Sequence, residues 1–277
     1  MSDRSADLHL HTRFSDGTET PERVVELARA QGLSTIAITD HDNIEALTLA
    51  TPIARRLGLE LVPGIEMSAS FEGIEVHLLG YRFDLANVAL LRHLTAQQAR
   101  RITRVREMVE RLARVGVTID AQEVLALAGE GTVGRPHVAR ILLKHGYVGT
   151  LAEAFDRFIG TEGPGFIPGS TVLPEVIIRL VREAGGVPVL AHPVFLKRDE
   201  LIETFVRQGL AGLEVYHSSH TPDLVRRYHA IADRLHLLKT GGSDYHGDAK
   251  EGAPIGAVKL PHRFVDALKA WTPAPRP

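Results

Sequence analysis

The stretch ADLHLH, residues 6–11, predicts a short buried strand that ends in two histidines. Side chains two residues apart in a strand point to the same face, so we expect both histidines to face inward and both leucines to face helices. A second stretch, LSTIAITDHD at residues 33–42, places three ionisable residues directly after an apolar run. Both stretches therefore predict strands whose carboxyl ends carry polar, chemically active side chains.

Helical patterns separate the predicted strands. Pro21–Ala30 has the Thr20 cap and first-turn proline that are typical of a helix start. A second helix is predicted at Ile44–Leu57, followed by strands at Leu59–Ile65 and Val76–Tyr81. This alternation predicts a parallel sheet covered by helices.

The alternation stops at residues 91–158, where the pattern is helical only. Alternation then resumes, with strands predicted at Val187–Ala191, Leu210–Tyr216 and Leu237–Thr240. We therefore predict an α/β fold in which residues 1–90 and 170–277 form a barrel-like domain. Residues 91–169 are predicted to be an inserted all-helical subdomain.

Composition and charge exclude several classes of protein. Of the 277 residues, 44% are hydrophobic and 24% charged, which is ordinary globular usage and argues against disorder and membrane spans. The 32 basic and 34 acidic residues nearly cancel, so bulk charge does not indicate nucleic-acid binding. The absence of cysteine excludes disulfides and thiolate metal sites. The first seven residues lack the apolar core of a signal peptide, so a cytoplasmic location is expected.

Candidate ligands also occupy or follow the remaining predicted strands, namely Glu66, His77, His192, Asp244 and His246. Taken singly, each is compatible with an ordinary core or turn residue. In an α/β barrel, however, the carboxyl ends of the strands meet on one face, and that face carries the active site. We therefore expect these side chains to converge.

Nine side chains would converge if the strands close into a barrel. They are His9, His11, Asp16, His41, Glu66, His77, His192, Asp244 and His246. Burying so many ionisable groups without a counter-charge is very costly, whereas bound cations would supply that charge. Nitrogen and oxygen donors without sulfur suit zinc, manganese or iron better than magnesium or calcium. The sequence therefore predicts a metal centre.

In this order, the motifs resemble the polymerase and histidinol phosphatase (PHP) family over almost the whole chain. The motifs are HLH at 9–11, TDH at 39–41, GIE at 64–66, His77, AHP at 191–193 and DYH at 244–246. The resemblance implies a distorted (β/α)7 barrel that holds two to three divalent ions. The helical insert and TGGSDYHG at 240–247 are similar to the stand-alone phosphoesterase branch. That branch includes a 3′,5′-nucleoside bisphosphate phosphatase and a 5′→3′ exoribonuclease.

The resemblance also implies how the ligands divide. One ion would be held by His9, His11, Glu66 and Asp244, a second by Glu66, His77 and His192, and a third by Asp16, His41 and His246. Glu66 would bridge the first two ions. Many members have histidine where Asp16 stands, and a carboxylate is a harder ligand, so a different metal preference is expected there. Asp40 and Asp42 fall outside these sets, with orientation of His41 and helix capping as open alternatives.

Such a centre predicts phosphate ester hydrolysis. A hydroxide held between two ions would attack phosphorus while the ions neutralise charge on the phosphoryl oxygens. The residues assigned to catalysis are Glu66, Asp244, His192 and His220. His192 and His220 are both candidates for protonating the leaving alcohol, and His220 is almost as well explained as a surface histidine.

The sequence GRPH, residues 134–137, predicts an anion site, because free N–H groups at a helix start would lie beside an arginine. Family members carry a similar motif, so Arg135 and His137 are predicted phosphate contacts. The alternative is an exposed helix cap. Lys197 is a candidate second anchor, since relatives often continue with glycine and arginine after AHP and this chain continues VFLK at 194–197.

Six arginines between residues 100 and 114 indicate either a solvated helix face or a guide for a polyanion. Aromatic residues are only 5% of the chain, which favours short substrates over long single strands. We predict a phosphoesterase acting on nucleotides, such as 3′,5′-nucleoside bisphosphates, or on the 5′ end of short oligonucleotides. No membrane attachment and no stable protein partner are expected. The alternatives are a histidinol-phosphate phosphatase and a non-catalytic PHP module that docks a polymerase.

Overall fold

The computed structural model describes residues 4–249 and 253–272. The expectation about a signal peptide concerns the first seven residues, and residues 1–3 of these lie outside the described part. The strands of the described residues form one sheet in the order β7-β6-β5-β4-β3-β2-β1-β8. They are β1 Ser5–Leu10, β2 Thr35–Ile38, β3 Glu60–Phe71, β4 Ile74–Tyr81, β5 Val187–Leu190, β6 Gly212–His217, β7 Leu238–Gly242 and β8 Leu260–Pro261.

The sheet closes on itself at β1. Just beyond β7, the backbone N–H of Asp244 donates to the carbonyl of His9 over 3.0 Å, and the N–H of His11 donates to the carbonyl of Tyr245 over 2.9 Å. The Asp7 carboxylate also accepts the N–H of Ser243 at 2.9 Å. These bonds join the first strand to the seventh, so the sheet forms a nearly closed barrel and the predicted α/β barrel is confirmed.

The fourth strand departs from the predicted parallel arrangement. β4 runs antiparallel to both β3 and β5, whereas β1–β3 and β5–β7 are parallel. A two-residue turn joins β3 to β4, and its residues Glu72 and Gly73 have φ of 51° and 80°. Positive φ at both positions is the geometry that suits a tight hairpin. The hairpin also explains why β3 continues to Phe71, beyond its predicted end at Ile65.

The described residues include ten α-helices. They are α1 Pro21–Ala30, α2 Glu45–Arg56, α3 Val88–Arg114, α4 Ala121–Ala128, α5 Arg135–Lys144, α6 Leu151–Ala154, α7 Pro174–Glu183, α8 Glu200–Arg207, α9 Pro222–Arg234 and α10 His262–Ala270. A π-helical turn, Phe155–Ile159, continues α6. None of the helices in the described ranges is long and apolar enough to cross a membrane.

The helical segment between β4 and α7 has a buried cluster of its own, which includes Met108, Leu112 and Leu142. The first turns of α3 differ, because Leu90 and Leu94 pack into the main core between the sheet and its surrounding helices. We propose that residues 91–169 form a subdomain whose first helix is anchored in the barrel.

The two leucines of the first strand do not share one environment. Leu10 packs into the main core under the helices, as expected, whereas Leu8 lies in the separate cluster that α10 covers. Both leucines thus contact clusters that include helix residues, but Leu8 shares its cluster mainly with other strands and with α10 rather than with the helices around Leu10. The pairing of β1 with β2 shifts register between Asp7 and Leu10, and such an irregularity changes the alternation of faces.

Candidate metal centre and its cavities

The structure brings the predicted ligands together where the parallel strands end. Within the described residues, four groups of side chains have ligand atoms close enough to surround an ion; one of them, His9 with Glu214 and His217, includes residues that were not predicted, and three consist of predicted ligands only. The three groups of predicted ligands are His9, His11, Glu66 and Asp244; His11, Asp16, His41 and His246; and His41, Glu66 and His77. His77 reaches the cluster from the first half of β4, because an antiparallel strand begins where its parallel neighbours end.

The first group has the spacing of a tetrahedral site. The Nε2 atoms of His9 and His11 are 3.1 Å apart, and their distances to the carboxylate oxygens of Glu66 and Asp244 run from 3.2 to 3.4 Å. Ligand atoms about 2.0–2.1 Å from a tetrahedral zinc ion lie about 3.3–3.4 Å from one another. The residues present therefore fit a divalent ion.

Glu66 lies at the centre of the cluster and is buried. Its Oε2 is 3.2 Å from Nε2 of His9 and 3.3 Å from Nδ1 of His41, while its Oε1 is 2.9 Å from both His77 Nδ1 and His192 Nε2. Burial alone would raise the pKa of Glu66, but the imidazoles of His41 and His9 outweigh it and hold the pKa well below its usual range. One carboxylate thus faces two sets of nitrogen donors.

The group around Asp16 includes the predicted partners and adds His11. Oδ1 of Asp16 is 3.3 Å from His246 Nε2 and 3.8 Å from His11 Nδ1, and Oδ2 is 3.8 Å from His41 Nε2. Within the described residues, Oδ1 of Asp16 is a buried acceptor without a hydrogen-bond donor. A carboxylate oxygen buried among imidazoles is a donor set that a divalent cation would satisfy.

Two buried residues that the sequence analysis did not select support the cluster. The Nδ1–H of His9 donates to Oε1 of Glu214 over 2.9 Å, which leaves Nε2 of His9 free to serve as a ligand. His217 places Nε2 3.4 Å from Oδ2 of Asp244. The available signal was a lone glutamate within the apolar run 210–216, followed by a histidine at the strand end.

The backbone of His192 is held in an uncommon conformation. Its φ is 23°, in the left-handed region that side-chain-bearing residues rarely adopt. The backbone N–H of His192 donates to Oε2 of Glu214 over 2.7 Å, so one carboxylate orients both His9 and His192. Strained residues of this kind cluster at functional sites, where the surrounding structure over-determines them.

Asp40 and Asp42 have structural partners other than His41. Asp40 accepts the hydroxyls of Thr12 and Ser15, each at 2.6 Å, and so orders the loop that carries Asp16. Asp42 pairs with Arg101, whose Nε lies 2.9 Å from Oδ2.

The Asp42 pair ties the insert to the ligand-bearing strand ends. The backbone N–H of Asp42 donates to the carbonyl of Glu66 over 2.8 Å, and Arg101 of α3 also donates to the hydroxyl of Ser68 over 2.8 Å. Asp42 does not cap α2, whose N-cap residue is Ile44; the neighbouring Asn43 side chain accepts the N–H of Glu45 at 2.8 Å.

Three residues with predicted catalytic or phosphate-binding roles, His220, His137 and Lys197, do not line the cavity that opens over the cluster. The Nδ1–H of His220 donates to the carbonyl of Val215 over 2.9 Å, and His220 lies next to His217 with ring centroids 5.3 Å apart. His137 is buried, and its Nδ1 accepts the N–H of Gly134 at the start of α5. Burial lowers the pKa of His137 to about 4. Lys197 is exposed on the surface.

A cavity of about 490 Å³, which we term the large cavity, opens over the cluster. Another cavity, of about 660 Å³, is lined by residues of α3 and by residues 167–171 and by none of the predicted ligands. The floor of the large cavity is formed by Asp16, His41, Glu66, His77, His192, Asp244 and His246. Its walls are largely apolar and come from the barrel and the insert, including Ile74, Pro136, Leu151, Phe155 and Phe195. The ring of Phe195 is 52% exposed and lies 5.2 Å from that of His192. A cavity with ionisable side chains at its base and apolar side chains in its walls suits a substrate with one charged group and one flat apolar group.

A second cavity of about 130 Å³, the small cavity, lies beside the large one. Arg101, Arg104 and Arg135 line it together with His41 and His77. The Nη2 of Arg135 donates to Oε2 of Glu75 over 2.7 Å, and the other oxygen of Glu75 is 3.4 Å from His77 Nε2. Arg135 is thus linked to His77 of the cluster through Glu75, and its role as a phosphate contact stays a prediction.

Comparison with known proteins gives a consistent picture. The family model of the PHP domain matches residues 7–160. A protein named 5′-3′ exoribonuclease Rnm, from Salmonella typhimurium, is 34% identical over 97% of this chain and 90% of its own length. A phosphoribosyl 1,2-cyclic phosphate 1,2-diphosphodiesterase of Eggerthella lenta is 35% identical over 87% of this chain and 94% of its own. A 3′,5′-nucleoside bisphosphate phosphatase of Chromobacterium violaceum is 31% identical, covering 90% of each chain.

Solved structures share the fold over the full length. The crystal structure of a protein from Bifidobacterium adolescentis, described as a metal-dependent phosphoesterase, superimposes with a TM-score of 0.89 and 36% identity. The alignment covers 96% of this chain and 95% of that one. The barrel and the helical insert therefore occur together in that protein.

Proposed function

This chain belongs to the PHP domain family, and from that premise we propose that it hydrolyses phosphate esters of nucleotides or the 5′ end of short oligonucleotides. It is a metal-dependent phosphoesterase, as its relatives and structural neighbours are. The observation that carries the proposal is Glu66, whose two carboxylate oxygens each face a different set of imidazoles beneath a substrate-sized cavity.

We propose that two to three divalent ions, manganese, zinc or iron, are held by the nine residues named above. The three close groups that consist only of these residues support this assignment. When bound, such ions lower the pKa of water and neutralise charge on phosphoryl oxygens. For the second ion, both His77 and His192 contact Oε1 of Glu66, while His41 approaches its Oε2.

The residues around the cluster have separable tasks in this proposal. Glu214 fixes the imidazole of His9 and the backbone of His192, so the donor atoms are oriented before substrate arrives. Arg135 presents a guanidinium that can pair with a phosphate. Of the two candidates for protonating the leaving oxygen, only His192 borders the large cavity, and the roles of both His192 and His220 stay predictions.

The shape of the large cavity supports a nucleoside as the organic part of the substrate. Its volume of about 490 Å³ lies within the usual range of small-molecule sites, and its apolar walls include the exposed ring of Phe195. A planar base can lie against such walls while its phosphate reaches the cluster. The relatives named for an exoribonuclease and a nucleoside bisphosphate phosphatase support this substrate class.

The test is a comparison of kcat/KM for three esters with the metal-loaded protein. The esters are a nucleoside 3′,5′-bisphosphate, a 5′-phosphorylated short RNA and histidinol phosphate. We expect one of the two nucleotides to be the best substrate, and the Asp244→Asn variant to control for contaminating phosphatases. A tenfold preference for histidinol phosphate, about 1.4 kcal/mol of transition-state stabilisation, would replace the proposal with the biosynthetic alternative. Absence of phosphate release from every ester would favour a non-catalytic module.

A further inference from the structure

We propose that Glu75 is a positioning residue of the metal centre, which fixes the ring of His77 so that Nδ1 is the nitrogen available to an ion. The inference rests on the proposed function and deepens it, because Glu75 would orient one of the proposed ligands without being a ligand itself. It implies that a change at Glu75 weakens the binding of the ion that His77 would hold and leaves the other ions in place.

Glu75 and His77 lie on the same face of β4. Side chains two residues apart in a strand point to one side, and Val76 between them is buried in the main core on the other side. The strand begins at Ile74, directly after the tight turn that follows β3. The hairpin therefore places a carboxylate two residues before a predicted ligand and on the same face of the strand.

The ring of His77 has a different carboxylate at each nitrogen. Nδ1 is 2.9 Å from Oε1 of Glu66, and Nε2 is 3.4 Å from Oε1 of Glu75. A neutral imidazole has one N–H and one nitrogen lone pair. If Glu75 accepts the Nε2–H, the lone pair is on Nδ1, beside the carboxylate that is proposed to bridge two ions. Glu75 thus selects both the tautomer and the orientation that a ligand at this position needs.

The other oxygen of Glu75 is held by the insert. Oε2 accepts the Nη2–H of Arg135 at 2.7 Å. The guanidinium of Arg135 lies 5.9 Å from the ring centroids of both Phe155 and Phe166, within the range of cation–π contacts. Arg135 is therefore fixed from the side of the insert, and its positive charge offsets the negative charge of Glu75 beside the proposed substrate site.

Glu75 stands where the cavities meet. Among the described residues, it is the only one that lines the large cavity, the small cavity and the cavity of about 660 Å³ along α3. Its side chain is 36% exposed, yet it is closely confined. An added Cβ at Gly169 would stand only 3.3 Å from Oε1 of Glu75. With Arg135 at one oxygen and Gly169 against the other, the carboxylate has little freedom to turn away from His77.

The competing explanation is an ion pair that merely joins the insert to the barrel. An ion pair of that kind acts through Arg135 and does not require His77. The two roles therefore differ in the partner on which the effect of a Glu75 substitution depends, and double variants distinguish them.

The principal test is the affinity of the metal-free protein for zinc, measured by competition with a chromophoric chelator. Glu75→Gln keeps the size and one acceptor oxygen but removes the charge, so we expect one ion to bind roughly tenfold more weakly and the others to stay within threefold. Glu75→Leu removes both acceptor oxygens and should weaken the same ion further. Glu72→Gln is the matched control, since Glu72 lies in the same hairpin and pairs with Arg198 at the surface. The control should bind zinc as the wild type does.

Arg135→Ala and His77→Gln provide the backgrounds for the double variants. If Glu75 acts through His77, Glu75→Gln should still cost roughly tenfold in affinity when Arg135 is replaced, and less than threefold when His77 is already replaced. Loss of the effect in the Arg135→Ala background would show that Glu75 acts only as an ion pair with the insert, and would overturn the positioning role. Equal weakening of every ion in Glu75→Gln alone would overturn it as well.

Ion binding as the readout separates this inference from the proposed function. If the expected affinities are found but no phosphate ester is hydrolysed, the positioning role stands and the proposed function fails. If nucleotides are hydrolysed but Glu75→Gln binds every ion within threefold of the wild type, the positioning role fails and the proposed function stands.

Discussion

Glu214 offers the sharpest perturbation of the metal centre short of removing a ligand. Its carboxylate is fully buried and accepts the Nδ1–H of His9 at 2.9 Å and the backbone N–H of His192 at 2.7 Å. Glu214→Gln keeps the size of the side chain but removes the charge from both hydrogen bonds. A hydrogen bond to a charged partner contributes about 1.5–3 kcal/mol. Because the His9 bond orients a predicted ligand, we expect divalent-ion affinity to fall roughly 10–100-fold.

The assay is a competitive titration of the metal-free protein with zinc or manganese against a chromophoric chelator. Glu203→Gln serves as the matched control, since Glu203 pairs with Arg234 at the surface, 44% exposed and away from the cluster. The control should bind ions as the wild type does. If Glu214→Gln binds them within threefold of the wild type while melting normally, the argument that Glu214 orients His9 as a ligand is wrong.

Two further predictions concern the insert. Arg135→Ala should lower kcat/KM for nucleotide substrates, with a loss of about 1.5–3 kcal/mol in transition-state stabilisation, and should leave the metal content near that of the wild type. A large loss of stability with unchanged kinetics would show that Arg135 has a structural role instead. His137→Gln should make the free energy of unfolding less sensitive to acid. The pKa of His137 is lowered from 6.5 to about 4 in the folded protein, so the unfolded chain takes up a proton first as the pH falls. His137 therefore does not destabilise the fold above pH 6.5, and it destabilises the fold progressively as the pH falls from 6.5 toward 4. At pH 5 that contribution is about 2 kcal/mol, and glutamine can still accept the N–H of Gly134. Urea unfolding at pH 7 and pH 5 measures this: between the two pH values, the free energy of unfolding of the wild type should fall by about 2 kcal/mol more than that of His137→Gln. An equal fall in both proteins would contradict the argument.

The fold and the cluster were accessible from the sequence for the same physical reason. In a barrel of parallel strands the carboxyl ends meet, so ionisable residues that end apolar runs, such as His9 and Glu66, must come close together. The direction of β4 was less accessible, because the turn at Glu72 and Gly73 is a local signal that the helix–strand alternation obscured. His77 belongs to the cluster in either case, since a hairpin places the start of β4 beside the end of its neighbours.

Other features depend on tertiary contacts that a linear pattern does not contain. Glu214 is one carboxylate in an apolar strand, and only the barrel shows that it reaches the imidazole of His9. Arg101 looked like one of several arginines on a solvated helix, yet it forms a buried pair with Asp42. Conversely, the motif around His137 predicts an anion site, but that imidazole is turned to the backbone of Gly134.

The most direct test of the central claim is elemental analysis of purified wild-type protein and Glu66→Gln, with phosphate release measured on the same samples. If Glu66 is shared between ions, the wild type should hold two to three divalent ions per chain, and the variant should lose more than one ion together with nearly all hydrolysis. A variant that keeps the wild-type number of ions and the wild-type turnover would show that Glu66 does not bridge a catalytic metal centre.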